Sequence, residues 1–158
     1  MFRIASILVA AFVAAGACSA QGLDGRLKKI ADSKTINIAY RSDAVPFSFV
    51  DDKKQPIGFS IDLCKRVVNS IERQINVQPL KINWVPVTVQ NRFDVVAKGQ
   101  ADMECGSSTV TLSRMKTVDF SSFIFVQTTS LVVGAGSGLR SLSDMSGKKI
   151  GAIAGTTN

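Results

Sequence analysis

The chain has 158 residues, a formal charge of +7 and no histidine. Without histidine, Ser-His-Asp and Cys-His catalysis and His-ligated metal sites are excluded within this stretch. Its Lys and Arg residues are scattered instead of clustered with aromatics, which argues against nucleic acid, and a mild basic excess suits a small anionic ligand.

The first twenty residues are read apart from the fold. Met1-Phe2-Arg3 is a short basic start, Ile4 to Ala15 is an uncharged apolar run, and Gly16, Ala17, Cys18, Ser19 and Ala20 follow. That order is the pattern of a secretory signal peptide over residues 1–20. The run is shorter than the roughly 20 apolar residues that span a bilayer. Cleavage fits either just before Cys18 or after Ala20. Ala15-Gly16-Ala17-Cys18 also resembles a bacterial lipobox, in which Cys18 would be acylated and the product anchored to a membrane. Export predicts a periplasmic protein and lowers the charge to +6 once Arg3 leaves. An oxidising compartment permits Cys64 and Cys105 to bridge; two buried thiols are the alternative.

Residues 22–33 carry Leu23, Leu27 and Ile30 at helical spacing and predict a short amphipathic helix. Thr35 to Tyr40 alternates and predicts a strand. Phe47 to Val50 and Ile57 to Phe59 flank the polar turn 51–56, the pattern of a hairpin. Ser60 is placed to cap a helix whose apolar stripe is Ile61, Cys64, Val67, Val68 and Ile71. A strand follows over Leu80 to Val85, then a helix from Gln90 to Lys98 ended by Gly99. Ala101 to Cys105 predicts a short strand stopping at Gly106, and Thr111 to Lys116 about one helical turn. Phe123 to Val133 is a long β-rich run. After the flexible stretch 134–138 come Leu142 to Met145, a turn at Ser146-Gly147, a strand from Lys149 to Ala154, and a helix start at Gly155-Thr156-Thr157. Strands alternating with helices predict an α/β sheet with mainly parallel pairing.

Several stretches, taken in order, carry a resemblance. They are Tyr40-Arg41 with Val45-Pro46-Phe47-Ser48; Ile57-Gly58-Phe59-Ser60-Ile61-Asp62; Pro86-Val87-Thr88-Val89-Gln90-Asn91-Arg92; Glu104-Cys105-Gly106-Ser107-Ser108-Thr109; Arg114 with Val118-Asp119-Phe120-Ser121; and Gly155-Thr156-Thr157. The sequence resembles the polar-amino-acid solute-binding proteins of ABC importers, the type II periplasmic binding fold, and within them the glutamate/aspartate-binding subgroup.

The resemblance implies two α/β lobes with ligand held between them. Residues 21–133 would form the first lobe with its N-terminal helix. Residues 134–158 would begin a second lobe that is truncated, since a strand running into a helix N-terminus opens a βα unit. It also implies capture of L-glutamate or L-aspartate for a membrane-embedded ABC permease by a monomer, with no cofactor, metal or catalytic residue. By resemblance Arg114 clamps the α-carboxylate, with Ser107, Thr109 and Thr157 adding hydroxyl or backbone contacts. Arg41 and Arg92 match arginines that face the acidic side chain. Val89 stands where the subgroup usually has Ser, which removes a hydroxyl beside Arg92. Two other readings share the scaffold: a periplasmic enzyme resembling cyclohexadienyl dehydratases, and a sensing module of a larger protein. An enzyme needs an acid or base in the cleft; Asp102 and Glu104, alternating along a short strand, read as structural.

Overall fold

The computed structural model describes residues 23–157. The expected signal peptide and Cys18 lie outside the described residues, as do the first residue of the expected N-terminal helix and Asn158.

Three parallel strands form the main sheet, in the order β5-β1-β6. β1 (Thr35–Arg41) sits at its centre, pairing along its full length with β5 (Lys81–Val87), from Thr35 opposite Lys81 to Arg41 opposite Val87. On its other side it pairs with β6 (Met103–Cys105), Ala39 opposite Glu104. Side chains alternate across a strand, so β1 serves two layers. Ile36 and Ile38 join a core with Ile30 of α1 (Gly25–Ser33), with Ile61, Val68 and Ile75 of α2 (Phe59–Ile75), and with Leu80 and Cys105. Ala39 packs on the opposite face with Val87, Ala101 and Val95 of α3 (Arg92–Ala97). Helices thus cover both faces of a parallel sheet, the arrangement that such sheets require because neither face can meet water.

A small antiparallel sheet lies between β1 and α2, in the order β2 (Asp43–Ala44), β3 (Ser48–Val50) and β4 (Pro56–Ile57). It contains the expected hairpin, closed by the Asp51 side chain accepting from the backbone N–H groups of Lys53 and Gln55. Gly58 leads from it into α2 with φ +124°, and a Cβ there would stand 2.6 Å from the Phe47 carbonyl oxygen. Only glycine fits that approach. Asn76 ends α2 in the left-handed conformation, donating its N–H to the Glu72 carbonyl. A disulfide joins Cys64 of α2 to Cys105 of β6.

Several expectations are corrected. Ser60 does not cap α2: it lies inside the helix, buried, and its hydroxyl donates to the Gly106 carbonyl at 2.7 Å. Val67 leaves the apolar stripe and is exposed, while Ile75 takes a place in the core. The predicted strands over 123–133 and 149–154 are absent, and residues 153–156 make a turn, not a helix start. β-propensity describes a side chain's fit to a sheet surface, and a strand exists only where another strand completes its ladder. No described strand lies against either run, and Phe123, Val126, Val132 and Ile153 are exposed. Beyond Cys105 the regular structure consists of two single 3-10 turns, Arg114–Lys116 and Ser143–Met145.

Candidate ligand-binding site

All three parallel strands point their carboxyl ends the same way, and there the six expected site residues meet. Arg41, Arg92, Ser107, Thr109, Arg114 and Thr157 line one polar cleft of about 90 Å³, with Gln127 and Thr156. The crevice beyond the strand ends is where open α/β sheets bind ligands. Arg41 is the last residue of β1, Arg92 the first of α3, and Ser107 and Thr109 lie on the loop leaving β6. A larger hollow of about 460 Å³, bordered by Val110, Met115, Phe120 and Phe123, is mostly apolar and holds one charged side chain, Asp119. It lacks the converging polar groups that fix a small ligand.

The arginines are held in three ways. Arg92 is only 4% exposed. It donates to the Val89 carbonyl at 3.1 Å and to the Gly155 carbonyl at 3.4 Å. Arg114 donates to the Thr109 carbonyl at 2.7 Å and to the same Gly155 oxygen at 3.0 Å. One carbonyl oxygen therefore sits between two guanidiniums, which is a geometry that an anion's oxygen would occupy more favourably, since charge-assisted bonds are stronger. Both guanidiniums also stand over the Phe93 ring, 4.7 and 5.0 Å from its centre. Arg41 is tied differently, with its Nε 2.8 Å and its terminal nitrogen 2.7 Å from Asp43 Oδ1. The Thr109 and Thr157 hydroxyls are 3.0 Å apart and form a hydrogen bond across the cleft in which either can donate.

Burial pulls the Arg92 pKa below its ordinary value, and the like charges of Arg114 and Arg41 add to that, while Glu104 opposes them. The guanidinium keeps its charge throughout, as arginine does in proteins. Glu104 moves the other way: burial pushes its carboxyl above the usual carboxylate range, against the Ser108 hydroxyl beside it and the nearby Arg92, Arg41 and Arg114. Among the described residues, Arg92 Nε and Asp102 Oδ1 are buried without a hydrogen-bond partner, and the Ser108 hydroxyl lies beside Glu104 Oε1 without a well-formed hydrogen bond to it.

Sequence reasoning did not find Phe93, Gln127, the Gly155 carbonyl or the placement of Glu104 beside the arginines. Phe93 follows Arg92 directly, but nothing in its spacing shows that it would also underlie Arg114. Val89, singled out as a departure, is buried with a methyl 3.1 Å from where a Cβ on Gly155 would lie. Asp102 is structural as expected: its Oδ2 accepts from the Asn37 backbone and side chain at 2.8 and 3.2 Å, and Lys29 and Arg26 face its Oδ1. Among the described residues no cluster of three potential metal ligands occurs, and no helix is long and apolar enough to cross a membrane.

The profile of the family described as bacterial extracellular solute-binding proteins, family 3, matches residues 36–149. The chain is 37% identical, over 99% of its length, to an L-glutamate/L-aspartate-binding protein of Pseudomonas aeruginosa. It is 35% identical, over 84% of its length, to a glutamate/aspartate import solute-binding protein of Salmonella typhimurium. It covers 53% and 44% of those two proteins, and so spans about half the length of the curated relatives it matches. Among solved structures, it is similar to an ancestral amino-acid-binding protein described as a precursor of cyclohexadienyl dehydratase. That likeness has a TM-score of 0.55 and 31% identity, over 62% of this chain and 40% of the other. The mixed α/β expectation agrees with this neighbour.

Proposed function

The chain belongs to family 3 of the bacterial extracellular solute-binding proteins, and from that premise we propose that its cleft captures an amino acid with an acidic side chain, L-glutamate or L-aspartate. One observation carries the reading: three guanidiniums and three hydroxyl side chains of the expected set converge on a single polar cleft. A ligand with two carboxylates and one ammonium suits such an excess of cations. A neutral or basic amino acid would leave guanidiniums unmatched and partly desolvated, which is costly.

Arg114 receives the α-carboxylate through its planar fork, displacing the Gly155 carbonyl that it now holds. Thr109 and Thr157 turn their hydroxyls to the same group. Ser107 adds a contact to the carboxylate or the ammonium. Arg92 and Arg41 take the side-chain carboxylate, with Arg92 anchored to Val89 and so already positioned before ligand arrives. Phe93 supports Arg92 and Arg114 from below, restricting their rotamers and lowering the entropy lost on binding. The ligand is bound and released without covalent change, outside the cytoplasm, and passed to a membrane-embedded ABC permease. Both relatives are described as binding glutamate and aspartate.

Calorimetric titration of the full-length protein with L-glutamate, L-aspartate, L-glutamine and L-arginine tests this. Tight binding of either acidic ligand with weak binding of the other two is expected. Preference for L-arginine or L-glutamine would overturn it. The likeness to a dehydratase precursor motivates one rival reading, an enzyme on this scaffold. Turnover of prephenate, followed by absorbance, would decide for that alternative.

A further inference from the structure

Glu104 stands against the arginine cluster without being satisfied by it. Its register opposite Ala39 turns its side chain to the α3 face of the sheet, the face that Arg41 shares. The carboxyl folds back against the Gly106 backbone, where a Cβ would collide with Oε1 and would meet Arg41 Cγ at 3.6 Å. Oε1 is buried and, like Arg92 Nε and Asp102 Oδ1, lacks a well-formed hydrogen bond among the described residues, and the Ser108 hydroxyl beside the carboxyl is its one polar neighbour short of the arginines. No ion pair within 4 Å joins Glu104 to any arginine among those residues. Asp102, on the same side of the same chain segment, accepts two hydrogen bonds and faces two cations. A buried carboxylate so weakly satisfied is costly, and among the described residues it is Glu104, not Asp102, that stands beside the cleft arginines without an ion pair.

Charged groups face Glu104 from each element around it: Arg92 from α3, Arg41 from β1, and Arg114 from the 3-10 turn. The Ser108 hydroxyl approaches from the loop after β6, and the exposed Asp43 offsets part of the Arg41 charge. Burial favours the protonated carboxyl and leads; the Ser108 hydroxyl and then the three cations oppose it. An anion seated on those cations cancels their pull and leaves burial opposed only by the Ser108 hydroxyl. We propose that Glu104 is the proton-carrying group behind the cleft's arginines: when an anion pairs with Arg41, Arg92 and Arg114, a solvent proton moves onto the Glu104 carboxyl, so that ligand binding and protonation are linked. This deepens the acidic-ligand reading and rests on it for the identity of the anion. The linkage has a definite sign. The bound state holds more proton than the free state, so affinity is greatest at low pH. It falls, by at most about tenfold per pH unit for one proton, as pH rises from the free-state pKa of Glu104 to the bound-state pKa.

Carboxyl carbon NMR on the full-length chain tests the proposal, with the Glu104 resonance identified by its loss in Glu104→Gln. Arg92→Gln removes one cation without any ligand, and Arg41→Gln does the same should the buried Arg92 variant fail to fold. Either substitution is expected to raise the Glu104 titration midpoint, and saturating L-glutamate is expected to raise it in the wild type. Glu104→Gln, which mimics the protonated form, is expected to lose the pH dependence of the L-glutamate Kd across that window. A midpoint unmoved by either arginine substitution overturns the proposal, and so does one unmoved by L-glutamate that demonstrably binds. A midpoint raised by the substitutions in a protein that does not bind L-glutamate upholds the cations' control of the Glu104 proton and removes the acidic-ligand reading instead.

Discussion

Arg114 and Arg92 differ in what holds them, and that difference separates the roles proposed for them. Arg114 is half-exposed and leans on two carbonyls that a carboxylate can replace. Arg92 is nearly inaccessible and fixed to the chain just before it. Arg114→Ala is therefore expected to weaken every amino-acid ligand, by about 3–5 kcal/mol, the cost of stripping one partner from a buried ion pair. Calorimetry across several amino acids checks this, and an unchanged Kd would refute the clamp. Arg92→Ala is expected to weaken L-glutamate far more than L-glutamine, since only the former places a charge there; equal losses would refute its side-chain role. Both residues were legible in the sequence through the runs that flank them. Their mutual approach was not, because residues 92 and 114 meet at the Gly155 carbonyl and over Phe93 only once the chain has turned through β6.

At the scale of elements, β6 and α2 carry the Ser107–Thr109 loop of the cleft. Cys105 is bonded to Cys64, its neighbour Glu104 lies against the arginines, and the Gly106 carbonyl accepts from Ser60 at 2.7 Å. α2 thus grips the start of the Ser107–Thr109 loop twice, by a disulfide and by a buried hydrogen bond. The disulfide closes a separation of 41 residues. Chain-entropy arguments give about 4 kcal/mol for a loop of that size. Replacing both cysteines with alanine is expected to lower stability by about that amount, read by urea unfolding through the fluorescence of Trp84, the sole tryptophan. Loss of less than about 1 kcal/mol would show that packing alone holds β6 to α2. The helices and parallel strands were readable as periodicities. The true partner of Ser60 was not readable, because a serine before an apolar stripe looks the same whether its hydroxyl serves its own helix or a strand end 46 residues away.

At the scale of the molecule, charge and cleft act together. The chain carries a formal +7, and three cations line the crevice at the strand ends. A field of that sign draws anionic ligands and is shortened by salt, from about 30 Å of reach at 0.01 M to about 3 Å at 1 M. The association rate of L-glutamate is expected to fall several-fold across that range in stopped-flow measurements, with the dissociation rate changing less. A rate independent of salt would show that steering plays no part. The alternation of β1 and the stripes of α1 and α2 determined the layered α/β core by themselves, because burial periodicity is local and each element carries its own. The arginines and hydroxyls of the cleft were also present as a pattern in the sequence. Only the tertiary structure decided that 123–133 and 149–154 form no strands, since a ladder needs a partner that propensity cannot supply. It alone brought Glu104 against Arg41, Arg92 and Arg114, because the energy of a buried charge depends on neighbours that are far apart along the chain.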